Sequence, residues 1–153
     1  MSIEQRLAEL GITLPPPRAP VFGYVPVAVE GGLAWVSGQL PWAGDGLLAK
    51  GRLGAEVDVE TGRAVARCCL LNGLAVLKEA LGSLDRVQRI VKVVGFVSSA
   101  PGFYDQPAVV DGASHLLTEL FGEAGRHARS AVGVAALPRD VPVEVEFVAA
   151  IRG

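Results

Sequence analysis

The sequence predicts a single α+β domain, a mostly antiparallel sheet with two helices packed on one face. Three observations carry this. Segments rich in Val and Ile alternate with two long stretches of helical periodicity. The elements run β-β-α-β-α-β-β, with strand pairs at both ends in place of a repeated βα unit. Finally, 153 residues, half of them apolar, amount to one ordinary domain with a packed core.

From the N-terminus, Ser2 followed by Gln5 is a capping-box pattern, Ile3, Leu7 and Leu10 share a helical face, and Gly11 closes the turn. Leu14–Pro20, "LPPPRAP", suits neither a helix nor a central strand and reads as a stiff, extended connector. Residues 1–20 are therefore an appended helix and connector, and residues 21–153 the main domain. Val21–Val29 and Leu33–Leu40 are β-rich and separated by Glu30-Gly31-Gly32, a hairpin signal. The glycine-rich Pro41–Val57 segment is expected to be a loop with some extended structure.

Between Val59 and Leu81 the period becomes helical: Ala66, Leu70, Leu74, Leu77 and Leu81 form a stripe, with Arg63, Arg67 and Lys78 off it, and Gly82 stops the helix. Arg86–Ser99 is nearly continuous in Val and Ile, as in a strand buried on both faces. Gln106–Phe121 is a second helix, with Pro107 in its first turn and Gly122 at its end. Two strands close the chain, Ala128–Ala136 and Val143–Ile151, with Leu137–Pro142 read as a hairpin loop.

Charge and composition exclude several classes. The net charge of −2 gives no basic field for nucleic acid. Cys68 and Cys69 are neighbours, which rules out an ordinary disulfide between them and points to a reducing compartment. Glu4 and Glu9 interrupt any signal-peptide pattern, and no apolar run reaches the ~20 residues of a membrane span. A soluble, cytoplasmic protein is expected. His115 and His127 are distant in sequence and supply no zinc spacing with the cysteines, so no metal is expected. The Gly44–Gly54 loop lacks the Lys-Ser/Thr ending of a phosphate loop.

Two features bear on function. The last strand carries Val143, Val145, Phe147, Ala149 and Ile151 on one face, yet Val148 and Ala150 follow Glu144 and Glu146 on the other. Two helices cannot cover both faces, so another copy of the chain is the expected cover. Arg129 opens the strand "RSAVGVA" on the same side as Ala131, Gly133 and Ala135, while Ser130, Val132 and Val134 are expected under the helices. A guanidinium beside small side chains suits a small anion held bidentately. In the hairpin register Arg129 and Glu144 of one chain lie ~20 Å apart, so a site using both draws on two subunits.

At these residues the chain resembles the RidA/YjgF family, known as "endoribonuclease L-PSP". The resemblance rests on Gly23-Tyr24, on "WVSGQLP" at Trp35–Pro41, and on "ARSAVGVAALPRDVPVEVE" at Ala128–Glu146. It implies a chorismate-mutase-like homotrimer with clefts between subunits. It also implies cofactor-free hydrolysis of reactive 2-imino or enamine acids to 2-keto acids and ammonia. On that likeness Arg129 holds the substrate carboxylate and Glu144 orients water or moves a proton. Tyr24, Ser37 and Gly38 line the cleft, and the carbonyl of Ala131 holds the imine nitrogen or water. Two departures stand out: Asp111 occupies a position where the family commonly has asparagine, and Ala131 one where it often has cysteine. The alternatives are a trimer that senses a small carboxylate without turnover and, less favoured by the acidic pI and two scattered histidines, a ribonuclease. No nucleic acid or membrane partner is expected.

Overall fold

The computed structural model describes residues Met1–Gly153. In chain order it contains α1 (Ile3–Glu9), β1 (Val27–Glu30), β2 (Leu33–Gln39), β3 (Trp42–Ala43), β4 (Gly46–Leu47), α2 (Val59–Leu81), β5 (Val87–Ser98), α3 (Gln106–Phe121), β6 (Ala128–Val134) and β7 (Val143–Ile151). Five strands make one sheet in the order β1-β2-β7-β5-β6, and β3 and β4 pair as a small separate hairpin. The main sheet is antiparallel except where β6 joins β5 in parallel. The α+β class and element order are as expected from the sequence.

The helices form where capping and apolar spacing require. Asp58 caps α2 by accepting from the Thr61 amide at 2.8 Å, and Gly82 ends it in the left-handed conformation with φ 84°. Between these caps Val65, Leu70, Leu74 and Leu77 are fully buried. At about 2 kcal/mol per buried Leu, this stripe supplies much of the force that holds the helix on the sheet. α3 packs beside α2 through small residues: Gly62 lies against Val109, and Gly112 against the Arg63 backbone. The capping box of α1 is formed reciprocally by Ser2 and Gln5. Leu7 joins the core, and Arg6 Nε donates to the Glu119 carbonyl at the end of α3.

Two local expectations are corrected. The Val21–Val29 run is strand only from Val27, because Gly23 and Pro26 interrupt it and Pro26 has no amide to donate. The last two strands are no hairpin: β7 and β6 flank β5 on opposite sides. The connector cannot fold as a tight two-strand turn. It holds Pro138 and Pro142 around Arg139 and Asp140, both left-handed at φ 58° and 59°. β5, apolar on both faces, instead takes a partner along each edge.

That topology reverses the expected faces of β6. One row across the sheet is Phe147, Val93 and Arg129, and the next is Val145, Gly95 and Ala131. Val93, Val145 and Phe147 are buried under the helices, so Arg129, Ala131 and Gly133 point that way too. Ser130, Val132 and Val134 lie on the open face with Phe96, Glu144 and Glu146. The small side chains beside Arg129 leave no empty space. Ala131 packs on the core, and a Cβ on Gly133 would come within 2.8 Å of Gln106 Nε2. The open face does lack a cover: Trp35 is 53 % exposed on it and Val132 40 %.

Candidate functional site

Arg129 enters a pocket made by the first turns of α3. Its Nη1 donates to Asp111 Oδ1 at 2.7 Å and to Ser114 Oγ at 3.2 Å, and its Nη2 donates to the Pro107 carbonyl at 3.3 Å. Pro107, Asp111 and Ser114 are spaced four and three residues apart, which puts them on one face of the helix. A guanidinium has five N–H groups. Three are used, and Nε–H with one Nη2–H has no partner in the chain. Those two form a side-on fork of the geometry that a carboxylate accepts.

Ser114 and His127 were not singled out as site residues from the sequence, although both support this arginine. Ser114 Oγ lies 2.9 Å from His127 Nε2, and His127 Nδ1 lies 2.7 Å from the Gly125 carbonyl. Ser114 accepts from Arg129, so its own proton goes to Nε2 and the imidazole carries its proton on Nδ1. Burial holds the His127 pKa below its usual 6.5, opposed by the Gly125 hydrogen bond and assisted by the Arg129 charge. The ring is neutral at pH 7. The spacing of Asp111 and Ser114 on α3 was the available signal for Ser114; nothing local in the sequence marked His127 as its partner.

The other candidate residues sit across the sheet. β2 advances from Val36 to Gln39 while β7 advances only from Phe147 to Val145, a bulge at Ser37-Gly38. Ser37 is fixed there, its hydroxyl donating to the Val25 carbonyl at 2.7 Å and its amide to the Pro26 carbonyl at 2.9 Å. Gly38 lies against Glu144: a Cβ added to it would come within 2.9 Å of the Glu144 Cδ. Burial, then the charge of Glu146, raises the Glu144 pKa above the ordinary 4.5. Tyr24 is 53 % exposed on the irregular segment before β1.

The chain thus brings together Arg129 and Asp111 in one cluster, and Tyr24, Ser37, Gly38 and Glu144 in another. It does not join the clusters. Arg129 faces the helices and Glu144 the open side, so the two stay apart for a reason other than the hairpin register expected. Asp111 is neither a cap nor a free surface carboxylate, because Asp105 holds the N-cap position and Asp111 is engaged by Arg129.

A cleft of about 200 Å³ lies beside the second cluster, lined by Tyr24, Gly38, Trp42, Arg18 and Arg139 among others. Trp42 is held by α2, where the buried Asn72 donates to its carbonyl at 3.0 Å. Cys68 and Cys69 are unpaired helix residues whose thiols burial pushes above the usual pKa. No three His, Cys, Asp or Glu side chains converge at metal-binding spacing. No helix is long and apolar enough to cross a membrane.

The fold and the arginine-bearing edge strand define an α+β protein of the chorismate-mutase-like kind. The sequence model of the family described as "YjgF/chorismate_mutase-like, putative endoribonuclease" matches residues 4–150, and the chain belongs to that family. It is 47 % identical over 145 residues to "Protein TCP17" of Trypanosoma cruzi, covering 94 % of this chain and 91 % of that one. The crystal structure of Atu1372, a protein of unknown function from Agrobacterium tumefaciens, is similar with a TM-score of 0.91. It shares 44 % identity, covering 98 % of this chain and 92 % of that one. A structure described as a putative endoribonuclease from Shewanella oneidensis superposes with a TM-score of 0.95 at 36 % identity, covering 99 % of this chain and 100 % of that chain.

Proposed function

We propose that the protein hydrolyses reactive 2-imino acids to 2-keto acids and ammonia at clefts between subunits of a homotrimer. The observation that carries this reading is the free Nε–Nη2 fork of Arg129, whose remaining donors are fixed by Asp111, Ser114 and the Pro107 carbonyl. A guanidinium with a fixed orientation loses little entropy on taking a carboxylate. In the reaction, water adds to the imine carbon, the C–N bond breaks, and nitrogen leaves as ammonia with no redox change. The imine is already electrophilic when protonated, so the protein needs to place it beside water and a proton carrier. Glu144 of a neighbouring copy fits that role, since a raised pKa lets it give and take a proton nearer neutrality.

A second reading, binding without turnover, is favoured by one observation. Asp111 neutralises much of the Arg129 charge and opposes an incoming anion, which suits weak, reversible ligation. Cleavage of RNA finds less support. His127 has both ring nitrogens engaged, and His115 is an exposed α3 residue whose ring lies beside Arg63 of α2. The test is 2-iminopropanoate hydrolysis by wild type and Arg129→Ala. A fall in kcat/KM of at least about a hundredfold is expected for loss of a bidentate charged contact. An unchanged value would remove Arg129 from the site.

A further inference from the structure

The cleft beside Gly38 has a composition that water alone does not explain. Two guanidiniums, Arg18 and Arg139, lie over the ring of Trp42, at 4.0 and 5.0 Å from its centroid. The two cations are therefore within about 9 Å of each other, and no acidic residue lines the cleft. Neither arginine forms an ion pair in the chain. Stacking on an indole is favourable for each cation, yet it also holds two like charges together without a counter-ion.

All three side chains are placed by their surroundings. Arg18 comes from the stiff proline connector and donates through Nη1 to the Gly44 carbonyl at 3.2 Å. Trp42 sits in the β3–β4 hairpin, anchored by Asn72. Arg139 occupies the left-handed region at φ 58°, followed by Asp140 at 59°, whose carbonyl accepts the Gly51 amide at 2.8 Å. Two consecutive non-glycine residues in that region cost about 1 kcal/mol or more each, a strain that is retained chiefly where a side chain has to be aimed.

The position of the cleft identifies its use. Gly38 forms part of its wall, and Glu144 lies directly against Gly38. A ligand whose reacting carbon is near Glu144 would extend its side chain along this wall toward Trp42. The volume of about 200 Å³ equals six or seven liquid waters at about 30 Å³ each, the scale of a metabolite side chain and too small for a nucleotide or a peptide.

We propose that this cleft is the side-chain pocket of the site, and that Arg18 and Arg139 select substrates ending in a second carboxylate, the imines of acidic amino acids. The proposal rests on the imine-hydrolysis reading for its chemistry, but its binding preference can be measured without turnover. The first experiment generates 2-iminoglutarate or 2-iminopropanoate in place, from glutamate or alanine with an amino-acid oxidase, and compares kcat/KM for each. Wild type should favour the dicarboxylic imine by about tenfold or more, a gain of about 1.4 kcal/mol. Arg18→Ala combined with Arg139→Gly, where glycine suits the left-handed backbone, should reduce that ratio to near one. A wild-type ratio near one, or a variant that loses both substrates in proportion, would overturn the proposal. If neither imine is hydrolysed, the deaminase reading fails, and calorimetric titration with 2-oxoglutarate and 2-oxobutanoate decides the pocket. Tighter binding of the dicarboxylate by wild type, lost in the double variant, supports it; equal binding of the two acids sinks it.

Discussion

Arg129 and Asp111 form a partly enclosed ion pair, Nη1 to Oδ1 at 2.7 Å, with the arginine side chain 22 % exposed and the aspartate 36 %. The aspartate therefore does two opposed things. It orients the guanidinium, and it brings a negative charge close to any anion on the free fork. At ~6 Å that repulsion is between about 0.7 kcal/mol in water and about 3 kcal/mol at an effective dielectric near 20. Replacement Asp111→Asn keeps an oxygen to accept from Nη1 and removes the charge. Affinity for 2-ketobutyrate, measured by calorimetric titration, should rise about fivefold. Asp111→Ala removes orientation as well, and should bind no better than wild type. An alanine variant that binds more tightly than the asparagine variant would show that the pair has no orienting role.

The pH dependence of stability follows from Glu144. Burial beside Gly38, followed by the charge of Glu146, raises its folded-state pKa above the ordinary 4.5. The native protein therefore holds this proton more tightly than the unfolded chain. The stabilisation is complete below the unfolded value and is lost as pH rises through the folded one. Glu144→Gln does not titrate. Its Tm should equal that of wild type near pH 4 and exceed it by about 1–3 °C at pH 7, a small margin because solvent screens a half-exposed carboxylate. Thermal unfolding followed by circular dichroism across pH 4–8 checks this. A variant less stable than wild type at pH 7 but not at pH 4 would reverse the assigned direction.

The open face carries the oligomer prediction. Trp35, Phe96, Val132 and Val134 share it, and Val132 is 40 % exposed at its outer strand. Large apolar side chains exposed on one face of a sheet are ordinarily covered. Light scattering of wild type should give about three times the chain mass, and Val132→Asp should shift it toward the monomer, because an unpaired carboxylate is costly in an interface. A wild type that is monomeric at micromolar concentration would contradict the trimer.

The elements were legible because each has local causes: the Asp58 and Gly82 caps, the leucine stripe of α2, and the Ser2–Gln5 capping box. The partners of β6 were not. Sequence adjacency favours pairing β6 with β7, and only the demand of β5 for neighbours on both edges reverses this, a property of the assembled sheet. That one error placed Arg129 on the open face, when it stands on the helical face, and hid its contacts with α3. Glu144 and Gly38 were legible only as types. Their contact depends on the β2 bulge, which leaves no composition signal beyond a glycine. Arg18, Trp42 and Arg139 come from three distant segments, so their meeting could not be read from spacing.

Gly112 decides how closely α3 approaches α2. A Cβ built there would meet the Arg63 carbonyl oxygen and lie 2.7 Å from its carbon and 2.9 Å from its Cα. Alanine in a helix is normally better than glycine by about 1 kcal/mol, so a substitution judged by propensity alone would stabilise α3. The clash is with backbone, which cannot rotate away as a side-chain tip can. Separating the helices would loosen buried contacts such as Val109 on Gly62, and overpacking of this kind costs about 1–3 kcal/mol beyond the propensity gain. Gly112→Ala should therefore lower Tm by roughly 3–10 °C at the 2–4 °C per kcal/mol expected for this size. It should also weaken ligand binding at Arg129, because Asp111 and Ser114 move with the helix. Calorimetric unfolding separates the two estimates: a Tm equal to or above that of wild type would mean that α3 shifts freely and that the close approach is not what holds Asp111 on Arg129.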